Sequence, residues 1–250
     1  MDLKGKISLI TGGTKGIGAA TAILFAEKGS DVAIVARNVQ DDSAKETKKR
    51  VEALGRKCLM FGADMGKAED ATSCVERTIA EMGGVDVLVH SAGGLVSGGL
   101  MEVSAKNWYA GFDVHVHAVF HLCRAVVPSM KAKKSGAIIL ISSSAGKRAI
   151  KTNIAYQAVK GALPHLTRGL AYELAEDNIR VNCVAPGVIR TSFHDAMPAL
   201  VKENNLKNRI PLHKEGTSEQ VASLIREMVE NEYVTGETFS IDGGLTMRIC

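Results

Sequence analysis

The sequence predicts an α/β fold: a doubly wound parallel sheet of about seven strands with helices on both faces. Seven short runs, most of them nearly continuous in Val, Ile, Leu and Ala, alternate with longer segments of helical period. Strands that helices cover on both faces have such continuous apolar runs. The alternation itself implies right-handed crossovers between parallel neighbours.

The elements follow one another in a regular order along the chain. Helix start signals at Ser43, at Ser104 and at Thr217-Ser218 support three of the helices. The strand candidates are Ile7–Ile10, Asp31–Ala36, Lys57–Phe61, Val85–His90, Ala137–Ser142, Arg180–Ala185 and Glu237–Ile241. The helix candidates lie near 16–29, 43–55, 68–82, 104–133, 155–177 and 218–230.

Composition narrows the classes of protein to consider. The 250 residues suit one α/β domain, 1–250, and 46% of them are apolar. The net charge is only +4, with both signs interleaved, so we expect no nucleic-acid partner. Five cysteines without a Cys-x-x-Cys pair favour reduced thiols over disulfides. Without a signal-peptide or membrane-spanning run, we expect a cytoplasmic protein and no membrane partner.

The stretch 189–216 interrupts the regular alternation. It carries Pro198, Pro211, five basic residues and two histidines without a clean period. It follows the carboxyl end of a strand, and we predict a substrate lid there, with an ordinary surface excursion as the alternative.

A glycine-rich loop follows the first strand and opens a helix. Gly12, Gly16 and Gly18 allow a tight turn, close approach of the backbone to a pyrophosphate and close packing of helix on strand. The helix N-terminus then offers free N–H groups to phosphates. This context predicts a Rossmann-type dinucleotide site. Its loop residues are Gly12, Thr14, Lys15, Gly16, Ile17 and Gly18.

The Gly-x-x-x-Gly-x-Gly spacing resembles that of the short-chain dehydrogenase/reductase family, and the likeness covers nearly the whole chain. Within it, the closest general likeness is to 3-oxoacyl-[acyl-carrier-protein] reductases and to sugar-acid or polyol dehydrogenases. Further family-like pieces are Asp64, His90-Ser91-Ala92-Gly93, Ser143, Tyr156-x-x-x-Lys160, Asn182-x-x-x-Pro186-Gly187, Tyr233-x-Thr235-Gly236 and Asp242-Gly243-Gly244. The resemblance implies an NAD(P)-dependent oxidoreductase that interconverts carbonyls and alcohols.

The end of the second strand bears on cofactor choice. A carboxylate there would bind the ribose hydroxyls and repel a 2′-phosphate, but the sequence reads Ala36-Arg37-Asn38. Arg37 can fork onto a 2′-phosphate and Lys15 can add a second charge, which favours NADP(H) over NAD(H). The alternative is that Arg37 is a solvated residue at the end of the strand and binds no phosphate. By resemblance, the rest of the cofactor contacts Asn38, Asp64, Met65, Ser91, Ala92, Gly93, Pro186, Gly187, Ile189 and Thr191.

Hydride transfer to a carbonyl needs a proton donor near the developing oxyanion. Tyr156 and Lys160 lie four residues apart and share a helix face, and a lysine there would lower the tyrosine pKa. Ser143 lies thirteen residues before the tyrosine, where the family's serine binds the substrate oxygen. Its neighbours Ser142 and Ser144 are expected to cap backbone groups. The resemblance also has Lys160 bind the nicotinamide ribose.

Two positions depart from the family. His115 lies seven residues after Trp108, where the family has an active-site asparagine that helps to hold a water next to the lysine. His90 stands where the family has the first asparagine of an Asn-Asn-Ala-Gly turn. Either His115 replaces the asparagine in the relay as a titrating member and packs near His90 as a compensating pair, or each ring only satisfies a backbone bond in the core.

Substrate and assembly are less constrained. Lys147, Arg148, Lys151, Arg190 and His194 surround the expected pocket, so they either bind an anionic substrate or are solvated charges. No Cys or carboxylate cluster accompanies the histidines, so no metal is expected. The resemblance implies a homotetramer paired through the two long helices. Two other functions stay open: a non-catalytic dinucleotide sensor or scaffold, and a lyase or epimerase that uses the cofactor transiently.

Overall fold

A computed structural model describes residues 1–191 and 197–247 and contains one seven-stranded parallel sheet. The strand order is β3-β2-β1-β4-β5-β6-β7, which confirms the predicted fold class. The strands are β1 Ile7–Thr11, β2 Asp31–Ala36, β3 Cys58–Gly62, β4 Val87–His90, β5 Gly136–Ile141, β6 Ile179–Pro186 and β7 Thr238–Ile241. The order reverses between β1 and β4, and ligands of such sheets bind in the crevice at the carboxyl ends there.

The helices cover both faces of the sheet, as predicted. They are α1 Gly16–Glu27, α2 Asp42–Ala53, α3 Ala68–Met82, α4 Ala105–Phe112, α5 Ala118–Lys133, α6 Ile154–Leu174, α7 Ala199–Asn204 and α8 Ser218–Glu230. Buried apolar residues of α3, α5 and α6 form the core on one face. Those of α1, α2 and α8 form the core on the other. The sheet is therefore held between two layers of helices, and the carboxyl ends of its strands lie along one edge.

The predicted helix 104–133 is helical over 105–133, which confirms the prediction. Within it, a π-helical turn, Asp113–His117, lies between α4 and α5 and contains the buried His115. Such wide turns are rare and occur often at functional sites. The sequence analysis did not predict this wider turn.

The segment predicted as a lid is only partly described, because residues 192–196, including His194, lie outside the described residues. The rest contains α7 and a second π-helical turn, Asn205–Arg209, which the sequence analysis did not predict. Ile189 pairs with Gly216, so the two ends of the segment meet at the cleft. Whether it acts as a lid stays a prediction. In the described part of the chain, no helix combines the length and the apolar character that a bilayer crossing needs.

Candidate active site

A cleft of about 1370 Å³ opens at the carboxyl ends of the strands, at the reversal of strand order. It brings together nearly all of the residues predicted to bind a cofactor. Its walls include Gly12, Thr14, Lys15, Gly16, Ile17, Arg37, Asn38, Asp64, Met65, Ser91, Ala92, Gly93, Pro186, Gly187, Ile189 and Thr191, together with Ser143, Tyr156 and Lys160. Gly18 and His115 lie behind the walls and do not line the cleft.

The glycine loop is shaped by close contacts between backbone segments. Gly12 has φ +68°, and a Cβ there would lie 2.8 Å from the amide nitrogen of Ala92. A Cβ at Gly18 would overlap the carbonyl oxygen of Gly12. Gly18 is therefore needed for packing of α1 on the loop, which matches its predicted role. The side chain of the N-cap residue of α1, Lys15, makes no capping hydrogen bond, which suits an N-terminus whose N–H groups bind a phosphate.

Charged side chains gather at one end of the cleft, beside β2 and β3. Arg37 and Lys15 line it as predicted, and Lys67 joins them, a cation that the sequence analysis missed. Asp41 also lines the cleft, but its side chain accepts the Ala44 amide and caps α2. Three cations thus line this part of the cleft, and the Asp41 carboxylate is engaged in the cap of α2.

Lys160 is buried beneath the other end of the cleft. Its Nζ donates to the carbonyl oxygen of Ile141, at the end of β5, over 2.7 Å. Nζ also lies 5.7 Å from the centre of the Tyr156 ring. Burial of this ammonium group lowers the pKa of Lys160 to about 8, and the nearby Cys183 opposes that shift.

Tyr156 and Ser143 form a hydrogen-bonded pair on the cleft wall. Burial raises the pKa of Tyr156, and the hydrogen bond from the Ser143 side chain opposes this rise. The pKa of Tyr156 is thus raised, and not lowered as the sequence analysis expected from Lys160. The Ser143 oxygen also accepts the Ala145 amide, which fixes its position at the end of β5.

His115 is held as a neutral ring. Its Nε2 lies 2.9 Å from the carbonyl oxygen of Gly94, so Nε2 carries the proton and Nδ1 a lone pair. Nδ1 is buried and has no hydrogen-bond partner among the described residues. The ring meets Tyr156 edge to face, with centroids 6.1 Å apart, and a Cβ at Gly93 would overlap it. Burial, reinforced by Lys160, lowers the pKa of His115 to about 2, which favours a neutral ring at this position.

His90 ties three elements together behind the cleft. Its Nε2 donates to Val114 O over 3.0 Å, and its Nδ1 lies 2.9 Å from the Thr11 hydroxyl oxygen. The same hydroxyl oxygen accepts the Ala92 amide. Burial lowers the pKa of His90 to about 4. This ring therefore joins β1, β4 and the π-helical turn, which is the backbone role that the sequence analysis left as its alternative.

The basic residues predicted to bind an anion do not converge on the cleft. Lys147 donates to the Ser240 hydroxyl, Arg148 to the Thr246 carbonyl, and Arg190 pairs with Glu215. None of the three lines the cleft. Each has a protein partner instead, so the contacts of these three side chains do not support the predicted binding of an anionic substrate. Residues 1–191 and 197–247 also contain no group of three or more potential ligands placed to hold a metal ion.

Comparison with known proteins places this geometry in a family. The family model described as Enoyl-(Acyl carrier protein) reductase matches residues 12–246. A 3-oxoacyl-[acyl-carrier-protein] reductase FabG of Thermotoga maritima is 35% identical, over 99% of this chain and 100% of that protein. The chain belongs to the short-chain dehydrogenase/reductase family.

Further relatives are similar over nearly the whole of this chain. A dehydrogenase/reductase SDR family member 4 of Bos taurus is 37% identical, over 97% of this chain and 88% of that protein. The structure of L-sorbose reductase from Gluconobacter frateurii, complexed with NADPH and L-sorbose, is 29% identical with a TM-score of 0.91, over 100% of both chains. The chain is thus an NAD(P)-dependent oxidoreductase that acts on CH–OH and C=O groups.

Proposed function

We propose that this protein reduces a small uncharged carbonyl compound, or oxidises the matching secondary alcohol, with NADP(H), and that Tyr156 is its acid/base. The observation that carries the proposal is the convergence of Ser143, Tyr156 and Lys160 on one end of the cleft. The Ser143 hydroxyl bonds the phenol, and the Lys160 ammonium lies 5.7 Å from its ring centre. A proton donor, a second hydroxyl and a cation meet where an oxyanion would form.

The roles follow from the protonation states. The bound cofactor supplies the hydride for reduction and accepts it in oxidation. In reduction, the Ser143 hydroxyl donates a hydrogen bond to the carbonyl oxygen and the Tyr156 phenol transfers its proton to that oxygen. The Lys160 ammonium stabilises the phenolate that is left. In oxidation, the same groups act in reverse, and Tyr156 removes the hydroxyl proton.

The preference for NADP(H) rests on the charged end of the cleft. Arg37, Lys15 and Lys67 line it, and guanidinium and ammonium groups bind phosphate well. The glycine loop and the uncapped N-terminus of α1 fit a pyrophosphate. The relative solved with NADPH and L-sorbose agrees with this preference.

His115 replaces the family's asparagine as a neutral group. Its Nε2–H holds the loop after β4 through Gly94, and its Nδ1 is a buried acceptor next to Tyr156. A water donating to Nδ1 would satisfy this acceptor and continue the proton relay from Lys160. Such a relay uses the ring as an acceptor and does not need it to titrate.

An uncharged substrate fits the contacts of the basic residues. Lys147, Arg148 and Arg190 bind other groups of the protein, so no described member of the predicted anion site faces the cleft. Polyols, hydroxyketones and simple ketones need no such cation.

We further propose a homotetramer, in keeping with the predicted pairing of the long helices α5 and α6.

A substrate panel tests the proposal. Turnover is followed through nicotinamide absorbance with NADPH and with NADH. The panel contains L-sorbose, diacetyl and acetoin as uncharged carbonyls, acetoacetyl-coenzyme A as an anionic 3-oxoacyl thioester, and crotonyl-coenzyme A as an enoyl thioester. We expect the best kcat/KM for an uncharged carbonyl with NADPH. Preference for either thioester would contradict the substrate assignment, and binding of NADPH without any turnover would favour the sensor alternative.

A further inference from the structure

Helix α6 contains a proline one turn after Lys160. Pro164 lies in the interior of Ile154–Leu174 and has no amide hydrogen. The carbonyl oxygen four residues earlier, that of Lys160, therefore loses the hydrogen bond that a regular helix would give it. This carbonyl is buried, and a buried acceptor without a donor is costly.

Ser142 supplies the missing donor. Its hydroxyl oxygen lies 2.7 Å from the Lys160 carbonyl oxygen, and the side chain is 2% exposed. The loop that follows Ser142 also lies against this carbonyl: a Cβ at Gly146 would be 2.6 Å from the Lys160 oxygen and 2.9 Å from the Ser142 hydroxyl. A proline, a serine and a glycine thus meet at one carbonyl group.

We propose that Ser142 and Pro164 are positioning residues that fix Lys160 against the end of β5. The backbone of Lys160 is held through Ser142, while its Nζ is held by the carbonyl oxygen of the adjacent Ile141. The lysine is therefore attached at both ends to two consecutive residues of the segment that also carries Ser143. This inference rests on the proposed catalytic role of Lys160, but its hydrogen bonds are testable without activity.

Substitution of Ser142 and Pro164, singly and together, tests whether these residues position Lys160. Ser142→Ala leaves the Lys160 carbonyl without a donor, and we expect kcat to fall about tenfold with a smaller change in KM. Pro164→Ala restores an amide hydrogen that can bond the same carbonyl. In that background, the additional effect of Ser142→Ala should shrink to less than about threefold, because the carbonyl now has its helical donor. Ser144→Ala is the matched control.

Thermal unfolding gives a readout that does not depend on turnover. It is measured for the wild-type protein, Ser142→Ala, Pro164→Ala and the double variant. Ser142→Ala should lower Tm by about 2–4 °C when residue 164 is proline and by much less when it is alanine. Equal losses in both backgrounds, in Tm and in kcat, would overturn the proposal. If the single variant is insoluble, soluble and active S142A/P164A protein supports the inference, and an insoluble double variant contradicts it. A wild-type protein without turnover would refute the proposed function alone, since the coupling in Tm would still decide this inference.

Discussion

The ammonium group of Lys160 lies 2.7 Å from the Ile141 carbonyl oxygen and is enclosed at the end of β5. The protein gives this cation one strong acceptor and removes it from water. His115 and His90 are the titratable rings near it, and neither is charged in the working range of pH because burial lowers both pKa values. Burial of Cys183 raises the pKa of its thiol as well, so the Ile141 carbonyl oxygen, and not a negative charge, holds the Lys160 ammonium group.

This burial predicts a dependence of stability on pH. The pKa of Lys160 is about 8 in the folded protein and 10.5 ordinarily, so between these values the unfolded chain binds more protons. Folding then becomes more favourable as pH rises through this window. Relative to a Lys160→Met variant, the wild-type protein should gain up to about 3 kcal/mol in free energy of unfolding from pH 8 to pH 10.5. Denaturant titrations of both proteins across this range measure it. A constant difference between them would show that Lys160 does not bury its charge.

Replacement of Tyr156 by Phe tests the acid/base. The variant keeps the ring that lies edge to face with His115 but loses the proton that is transferred. We expect kcat to fall by about 10²–10⁴-fold, while the dissociation constant for NADPH changes little. Quenching of Trp108 fluorescence measures cofactor binding, and Tyr109→Phe, at an exposed position on α4, is the control. Retained turnover in Tyr156→Phe would refute the assignment.

The protonation of His115 can be tested through the pH dependence of the rate. Because its pKa is lowered to about 2, the ring is neutral throughout the usual assay range. His115→Asn keeps a donor for the Gly94 carbonyl, so we expect neither limb of the pH–rate profile to move. A wild-type limb near pH 6–7 that disappears in His115→Asn would show that the ring titrates.

The donor role of the same ring is tested by His115→Leu. This change removes the donor to the Gly94 carbonyl oxygen and should lower the free energy of unfolding by about 0.5–1.5 kcal/mol, the net contribution of one hydrogen bond. His115→Asn should lose clearly less. Equal losses in the two variants would contradict the importance of the bond to Gly94.

The sequence predicts those parts of the site that are formed by residues close together along the chain. Gly12, Gly16 and Gly18 follow one strand and open one helix, and Tyr156 and Lys160 share a helix face by their spacing alone. The carboxyl ends of parallel strands meet at one edge of the sheet, so the separate segments fall into one cleft once the fold class is known.

The parts that the sequence does not predict depend on contacts between distant segments. Lys147 bonds Ser240, 93 residues later, and Arg148 bonds Thr246, 98 residues later, so charge alone placed both wrongly near the substrate. The π-helical turn around His115 is a single wide turn inside a longer helix, and the residue types of Asp113–His117 do not distinguish it from an α-helical turn. Pro164 removes a donor within α6, and the hydroxyl that replaces this donor belongs to Ser142, 18 residues before the Lys160 carbonyl that it binds.

The last prediction concerns Arg37 and the choice of cofactor. Arg37 lines the cleft from the end of β2, and loss of a charged hydrogen bond to phosphate costs about 1.5–3 kcal/mol. Arg37→Ala should therefore lower kcat/KM for NADPH by about 10- to 100-fold and leave kcat/KM for NADH nearly unchanged. Steady-state kinetics with both cofactors measure the two ratios. Arg50→Ala, in the last turn of α2 and outside the cleft, should change neither. Equal losses with the two cofactors would assign Arg37 to adenine stacking, and no loss would return it to a solvated surface residue.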